Sequence, residues 1–321
     1  MESGQGQGAA PAIASHGGQE SQRWLSVAAQ AGAALLTARS ITVISARESD
    51  IYEHFVQRPA NVELIVRANW NRKIRLKSGA FAKQFAFVDG LPEAARFIVT
   101  IHAAPGRKGR IAELALRFSP VTMCRPHPSP APDLPDMIRL TMVDVREVSS
   151  LHDGEPIHWR LLTTHAVRSP KQARRIVDLY RKRWTIEEFF RTLKSAGFDI
   201  EEADIGEPAV MIKFVAAAAV AAVTIMQLVR ARDGTTEEEL GEAFEPDEQP
   251  VLEALSSQLE GATEKRKNPH PKGTLAFAAW VIARLGGWTA YYGKPGPKVM
   301  RLGLEAFRRI KYGTTLRLQD V

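Results

Sequence analysis

The sequence holds a single cysteine, Cys124, in 321 residues. One thiol excludes an intramolecular disulfide and any cysteine-built metal motif, and makes a reducing compartment the default setting. Its surroundings, Cys124-Arg-Pro-His127, offer two ligand types in a proline-rich stretch and read as structural. Large apolar residues are scarce from Met1 to about Gly18, where Gly, Ala, Gln and Ser dominate and no basic-then-apolar leader pattern occurs. We expect a disordered tail over residues 1–22. No long apolar run follows. The most apolar segment, Phe214 to Val229, is interrupted by Thr224 and Gln227 and falls short of the roughly 20 residues a bilayer requires. It reads as a buried helix, with no membrane contact. No helix-turn-helix or zinc motif is present, and no aspartate of any kind precedes Asp50.

Positive charge, by contrast, is plentiful. The net formal charge is +7, which suits a phosphate-backbone partner. It concentrates between Arg168 and Lys194, with nine Lys or Arg against three acids. Ser169 and Gln172 form a capping box, Pro170 takes the first helical position and Gly197 offers a stop, so the spacing predicts one long helix over this stretch. At about 100° per residue, Tyr180, Arg183, Glu187 and Lys194 share an arc of about 60°. Leu179, Ile186, Phe190 and Leu193 form a neighbouring apolar stripe expected to pack on a sheet. One carboxylate would then stand among three phosphate-seeking groups. Read without further context, the same charges are a solvated face with i,i+4 pairs such as Arg183 with Glu187.

Hydrophobic content of 45% over this length is enough for two or three domains. Periodicity places a helix from Arg23 to about Leu35, a strand over Ser40 to Ile44, a helix near Asp50 to Gln57 and a strand from Val62 to Ala68. Short β-like runs, Ala94 to Ile101 and Ile111 to Phe118, follow between Gly and Pro turns. Six prolines between residues 119 and 136 suggest an extended loop. A strand over Ile157 to Thr164 precedes the charged helix, an Ala-rich helix runs from about Pro208 to Arg232, and helices are expected near Pro246 to Leu259 and Thr274 to Leu285. The corresponding regions are a tail (1–22), a first core segment (23–68), a β-rich insertion (69–155), a second core segment (156–232) and a helical C-terminal domain (233–321).

The stretch Tyr180-Arg-Lys-Arg-Trp-Thr-Ile-Glu-Glu-Phe-Phe190 with Lys194 resembles the Y-R-E-K signature of bacterial cut-and-paste DDE transposases. The group it resembles is the insertion-sequence-four group, which includes the transposase of the kanamycin-resistance composite transposon. Gln19-Glu-Ser-Gln-Arg-Trp-Leu25 is similar to the family's K-E-S-x-x-W-L, Ala46-Arg-Glu-Ser-Asp-Ile51 to its D-R-E-A-D-I, and Trp280 to Gly287 to its C-terminal helix. The resemblance implies an α/β fold with a ribonuclease-H-like mixed sheet, incomplete in this chain, interrupted by the insertion and followed by the helical domain. Two aspartates and a glutamate of such enzymes hold two Mg2+ ions that activate the attacking oxygen and stabilise the leaving one.

On this resemblance Glu187 is the catalytic and metal-binding glutamate. Tyr180, Arg183, Lys194 and Arg191 become DNA contacts, and Trp159 is either a base-stacking side chain or an ordinary sheet tryptophan. Arg67, Arg72, Lys73, Arg75, Lys77 and the turn Gly106 to Arg110 are further phosphate contacts by charge alone.

Two departures matter. Ala46 stands where the second aspartate belongs, and a methyl group cannot ligate magnesium. The first aspartate has no counterpart, so the chain is expected to begin partway through the catalytic domain. Glu48 would lie on the same strand face as Ala46, about 6.6 Å farther along. Asp50 is expected to cap the helix that starts at Ile51. The implied function is cut-and-paste DNA transposition by a catalytically defective remnant. The alternative is a DNA-binding or dimerising inhibitor of an active sibling, and a third reading supplies the missing aspartates from a separate piece. The implied partners are transposon-end DNA and a homodimer or mixed dimer, through a C-terminal domain that is equally readable as a folded cap. The implied location is the cytoplasm, at the nucleoid.

Overall fold

The computed structural model describes residues 16–101, 109–127, 133–148, 155–195, 198, 200–291 and 293–319, and divides into two compact units, residues 1–183 and 184–321. In the first unit, α1 (His16–Ala34) precedes β1 (Ile41–Ser45), α2 (Tyr52–Val56) and β2 (Val62–Arg67). The helix begins earlier than Arg23. It starts at His16, within the stretch expected as a tail; residues 1–15 lie outside the described residues. β1 and β2 pair in parallel, Ile41 with Val62 through Ser45 with Val66, which is the strand-helix-strand opening read from periodicity.

The chain continues through β3 (Lys73–Arg75), β4 (Phe81–Lys83), α3 (Gln84–Asp89), β5 (Ala95–Ile101), β6 (Arg110–Cys124), β7 (Met137–Glu147), β8 (His158–Thr163) and α4 (Pro170–Arg181). All eight strands form one open mixed sheet in the order β1-β2-β8-β7-β6-β3-β4, with β5 beside β6. Among the described residues β1 is paired on one side only. The proline-rich loop expected from residue 119 starts later, because β6 runs on to Cys124 with Pro120 inside it. One edge of β6 pairs with β5 up to Leu116 and with β3 from Thr122. Pro120 falls in the gap between them, where its missing N–H removes no ladder bond on that edge.

Each sheet face carries a core over part of its area. Val62, Leu64 and Val66 face a core shared with α1, α2 and Val88 of α3, whereas Ile65, Val143, Val145 and Leu161 face one shared with Ala173, Ile176 and Val177 of α4. Burial on both sides explains why β2 reads as a nearly continuous apolar run.

His54 lies fully buried in the first core, its Nδ1 3.3 Å from the Ser49 carbonyl oxygen, and burial holds it below the ordinary imidazole range. His165, 3.1 Å from the Thr42 hydroxyl, is lowered for the same reason. The unfolded chain therefore binds more protons than the folded one just below the unfolded histidine pKa of about 6.5, and stability is lost as pH falls through that range. Chemical denaturation from pH 7 to 5 should show this slope, and His54→Phe should flatten part of it. An unchanged slope in that variant would remove His54 from the account.

The second unit comprises α5 (Trp184–Ser195), α6 (Pro208–Ala231), α7 (Gln249–Leu259), α8 (Leu275–Leu285) and α9 (Pro297–Gln319). Its core joins Ile225 and Leu228 of α6, Leu252, the whole inner length of α8, and Met300, Leu304 and Phe307 of α9. The Ala-rich helix differs from expectation. It spans 24 residues, long and apolar enough by length and composition to cross a membrane, and only 17% of its most apolar window is buried. Its buried positions, Ala218, Ala222, Ile225 and Leu228, form one narrow stripe, while Ile212, Val220 and Val223 are exposed. Alanine raises hydropathy without supplying the bulk that closes a core around a helix.

Candidate functional site

β1 ends at Ser45, and Ala46 follows as an extended residue before a 3₁₀ turn, Arg47–Ser49, in which the Ser49 hydroxyl donates to the Ala46 carbonyl at 3.1 Å. Strand alternation puts Ala46 on the side of Ile44, which packs toward the α4 core. Glu48 sits in the turn and is exposed, so the strand geometry that would have aligned it with Ala46 does not apply. Asp50 is not a helix cap either. Its side chain, 1% exposed, accepts from the backbone N–H of Asn69 at 2.7 Å and Trp70 at 2.9 Å and from the Arg72 guanidinium at 3.0 Å. The β2–β3 loop supplied donors that no local pattern could announce.

On the same sheet face, at the same end, Trp159 of β8 meets Tyr180 of α4 edge to face, ring centroids 5.6 Å apart. Tyr180 is 2% exposed and belongs to the core under α4. The Arg183 guanidinium lies 6.0 Å from the Tyr180 ring centroid. Trp159 is thus a partly buried sheet residue that braces the C-terminal end of α4.

The long charged helix is in fact two helices. Ser169 caps α4 and Pro170 opens it as expected. At its end the Lys182 and Arg183 N–H groups donate to Leu179 and Tyr180 carbonyls, three residues back, so the α-helical ladder stops. Trp184, Thr185 and Ile186, weaker helix formers than the residues of α4, follow there and favour the break. Tyr180 and Arg183 therefore belong to the first unit, and Glu187 and Lys194 to the second. The common arc drawn on one helix is not a property of the fold.

Within α5, Glu187 is exposed in the first turn, where the helix dipole favours a carboxylate. Lys194, seven residues later, recurs on the same side and pairs with Glu201 at 2.5 Å. Arg191 pairs with Glu188. The apolar stripe is also redistributed. Leu193 packs on Ala218 and Ala222 together with Phe189, while Ile186 and Phe190 are exposed beside Trp184.

Of the basic residues singled out by charge, Arg72 is committed to Asp50 and Arg67 donates to the His158 carbonyl at 3.1 Å. Residues 106–108 of the Gly106–Arg110 turn lie outside the described residues, and Arg110 pairs with Glu147. Lys73, Arg75 and Lys77 have no acidic partner among the described residues.

A family model described as a transposase DDE domain matches residues 57–222, more than half of the chain. The chain belongs to this family. The match covers Trp159, Tyr180, Arg183, Glu187, Arg191 and Lys194, and begins eleven residues beyond Ala46. The open mixed sheet flanked by helices is consistent with the ribonuclease-H-like fold of DDE transposases. These enzymes act on DNA at transposon ends and use divalent metal ions. Among the described residues no three His, Cys, Asp or Glu side chains converge into the donor set such a centre needs.

Proposed function

We propose that this DDE transposase chain is of the insertion-sequence-four type and acts through DNA binding without cleaving DNA on its own. The observation that carries the reading is Ala46 just past β1, at the end of the sheet where Trp159 meets Tyr180. By the resemblance Ala46 stands where a metal-binding aspartate belongs, and an alanine there cannot ligate a metal. Arg183, Lys194 and Arg191 hold backbone phosphates in this reading, with the arginines able to grip them in a bidentate fork. Glu187 is the retained metal-ligand position. Tyr180 contributes by fixing Arg183 rather than by contacting DNA, since its ring is enclosed.

The test is incubation of the chain with labelled DNA bearing transposon-end repeats in magnesium or manganese. Binding without cleavage is expected, and Glu187→Gln should leave both unchanged. Metal-dependent cleavage by the unaltered chain, abolished by Glu187→Gln, would overturn the proposal and require other residues to complete the site.

A further inference from the structure

The β3–β4 hairpin carries charge in an arrangement that costs the fold stability. Its register places Lys73 directly opposite Lys83 and Arg75 opposite Phe81. Directly opposed residues share a face, with Cβ atoms about 4.5–5.5 Å apart, and like charges so placed are destabilising. Arg75 in turn pairs with Thr122 of β6, and Thr122 with Arg139 of β7, so the same face extends the charge across two more strands. Ile74, between the two cations of β3, points the opposite way into the core. The thiol of Cys124 on this face feels Lys73 and Arg75, although burial, the larger influence, pushes it up.

None of Lys73, Arg75, Lys83 or Arg139 has an acidic partner among the described residues. Phe81, half exposed, is held under the Lys73 ammonium 4.0 Å from its ring centroid, and Trp70 stands exposed beside the hairpin. Lysines on an edge strand can serve only to discourage aggregation. That explanation fits β4, which ends the sheet, but not Arg75 or Arg139, which lie on inner strands.

The base of the hairpin is tied down by hydrogen bonds. Gln84 donates its backbone N–H to the Arg72 carbonyl at 3.0 Å and its side-chain amide to the Trp70 carbonyl, and Phe85 N–H donates to the Asn71 side chain at 3.0 Å. Asp50 fixes the same loop from beneath. Counted along the ladder, the patch lies roughly 25 Å from the Trp159–Tyr180 corner, so it is a separate surface.

We infer that Lys73, Arg75, Lys83 and Arg139 form a preorganised cationic platform that docks the phosphate backbone of duplex DNA. Alternate residues of a strand are about 6.8 Å apart, a spacing comparable to that of successive phosphates on one DNA strand. A bound polyanion would relieve the opposed lysines, so binding and stability pull on the same residues in opposite senses. The inference rests on DNA being the partner of this chain.

The test compares the full chain with a Lys73→Gln/Lys83→Gln variant by fluorescence anisotropy of a labelled random-sequence duplex over a salt series, and by thermal melting. The variant should lose affinity severalfold, its log–log salt slope should fall by about 1.8, and its melting midpoint should equal or exceed that of the parent. A Lys267→Gln/Lys272→Gln variant, with the same net charge but altered at acid-paired sites, should keep the parent slope. An unchanged slope in the hairpin variant, or an equal loss in the control, would overturn the platform while leaving DNA binding itself intact. A greater effect on a single strand than on the duplex would overturn the choice of duplex. Failure of the parent chain to bind any DNA would remove both this inference and the proposed function.

Discussion

Asp50→Ala should destabilise the N-terminal unit by about 3–5 kcal/mol, the cost of leaving one member of a buried ion pair without its partner. The Asp50 side chain is fully enclosed and that of Arg72 is only 10% exposed. The carboxylate also satisfies two backbone N–H groups, at Asn69 and Trp70, and each would be left without its acceptor. Arg72→Ala should cost less, because Asp50 keeps both backbone donors. Removing both charges, as Asp50→Ala/Arg72→Ala, should cost less than the sum of the two single changes. Urea denaturation of the four proteins measures all of this. If the Asp50 variant lost under 1 kcal/mol, the loop would not depend on this carboxylate. The same variant should weaken DNA binding, since the loop it loosens carries the hairpin.

Gly303→Ala should destabilise the C-terminal unit by about 3 kcal/mol or more, at the upper end of overpacking costs. A Cβ at Gly303 of α9 would overlap the Ile282 carbonyl of α8 and stand 3.0 Å from the Gly286 N–H. A Cβ at Gly286 would likewise overlap the Val299 carbonyl. Both obstacles are backbone, which cannot rotate aside as a side chain does. The two helices therefore touch through their glycines, and Gly286→Ala should behave similarly. Gly313, in the same helix α9, has nothing within 4 Å of its would-be Cβ. There alanine should stabilise, by up to about 1 kcal/mol, through helix propensity. Denaturation followed by the fluorescence of Trp280 and Trp288 separates the two cases. Equal effects at 303 and 313 would mean that α8 and α9 are farther apart than the structure shows.

Much of the fold was legible because local rules govern it. Alternation and β-branched runs located β1, β2, β5 and β8 to within a residue or two, and the Ser169–Pro170 start of α4 followed from capping chemistry alone. Strand β7 and helix α9 went unread. β7 follows a proline-rich stretch that masks it, and the two glycines of α9 look like breakers unless a neighbouring helix makes use of one of them.

The candidate site was legible in its residue types and not in its arrangement. The resemblance carried by the Tyr180 to Lys194 stretch pointed to a DDE transposase, and that family's model matches residues 57–222. The wheel built on it assumed an unbroken helix. Helical periodicity is a property of each segment, whereas continuity across Lys182 and Arg183 depends on which carbonyls their N–H groups find.

Charge behaved in the same way. The sequence by itself determined that this protein is basic, mixed α/β in its first part and helical in its last, and that Ala46 cannot bind a metal. Only the tertiary structure decided which cations are committed, because a guanidinium such as that of Arg72 is claimed by a carboxylate 22 residues away in sequence. It also decided which cations stand together, because Lys73 and Lys83 become neighbours only when β3 and β4 fix their register. Long-range pairing is set by chain topology and excluded volume, and no local pattern of residues encodes either.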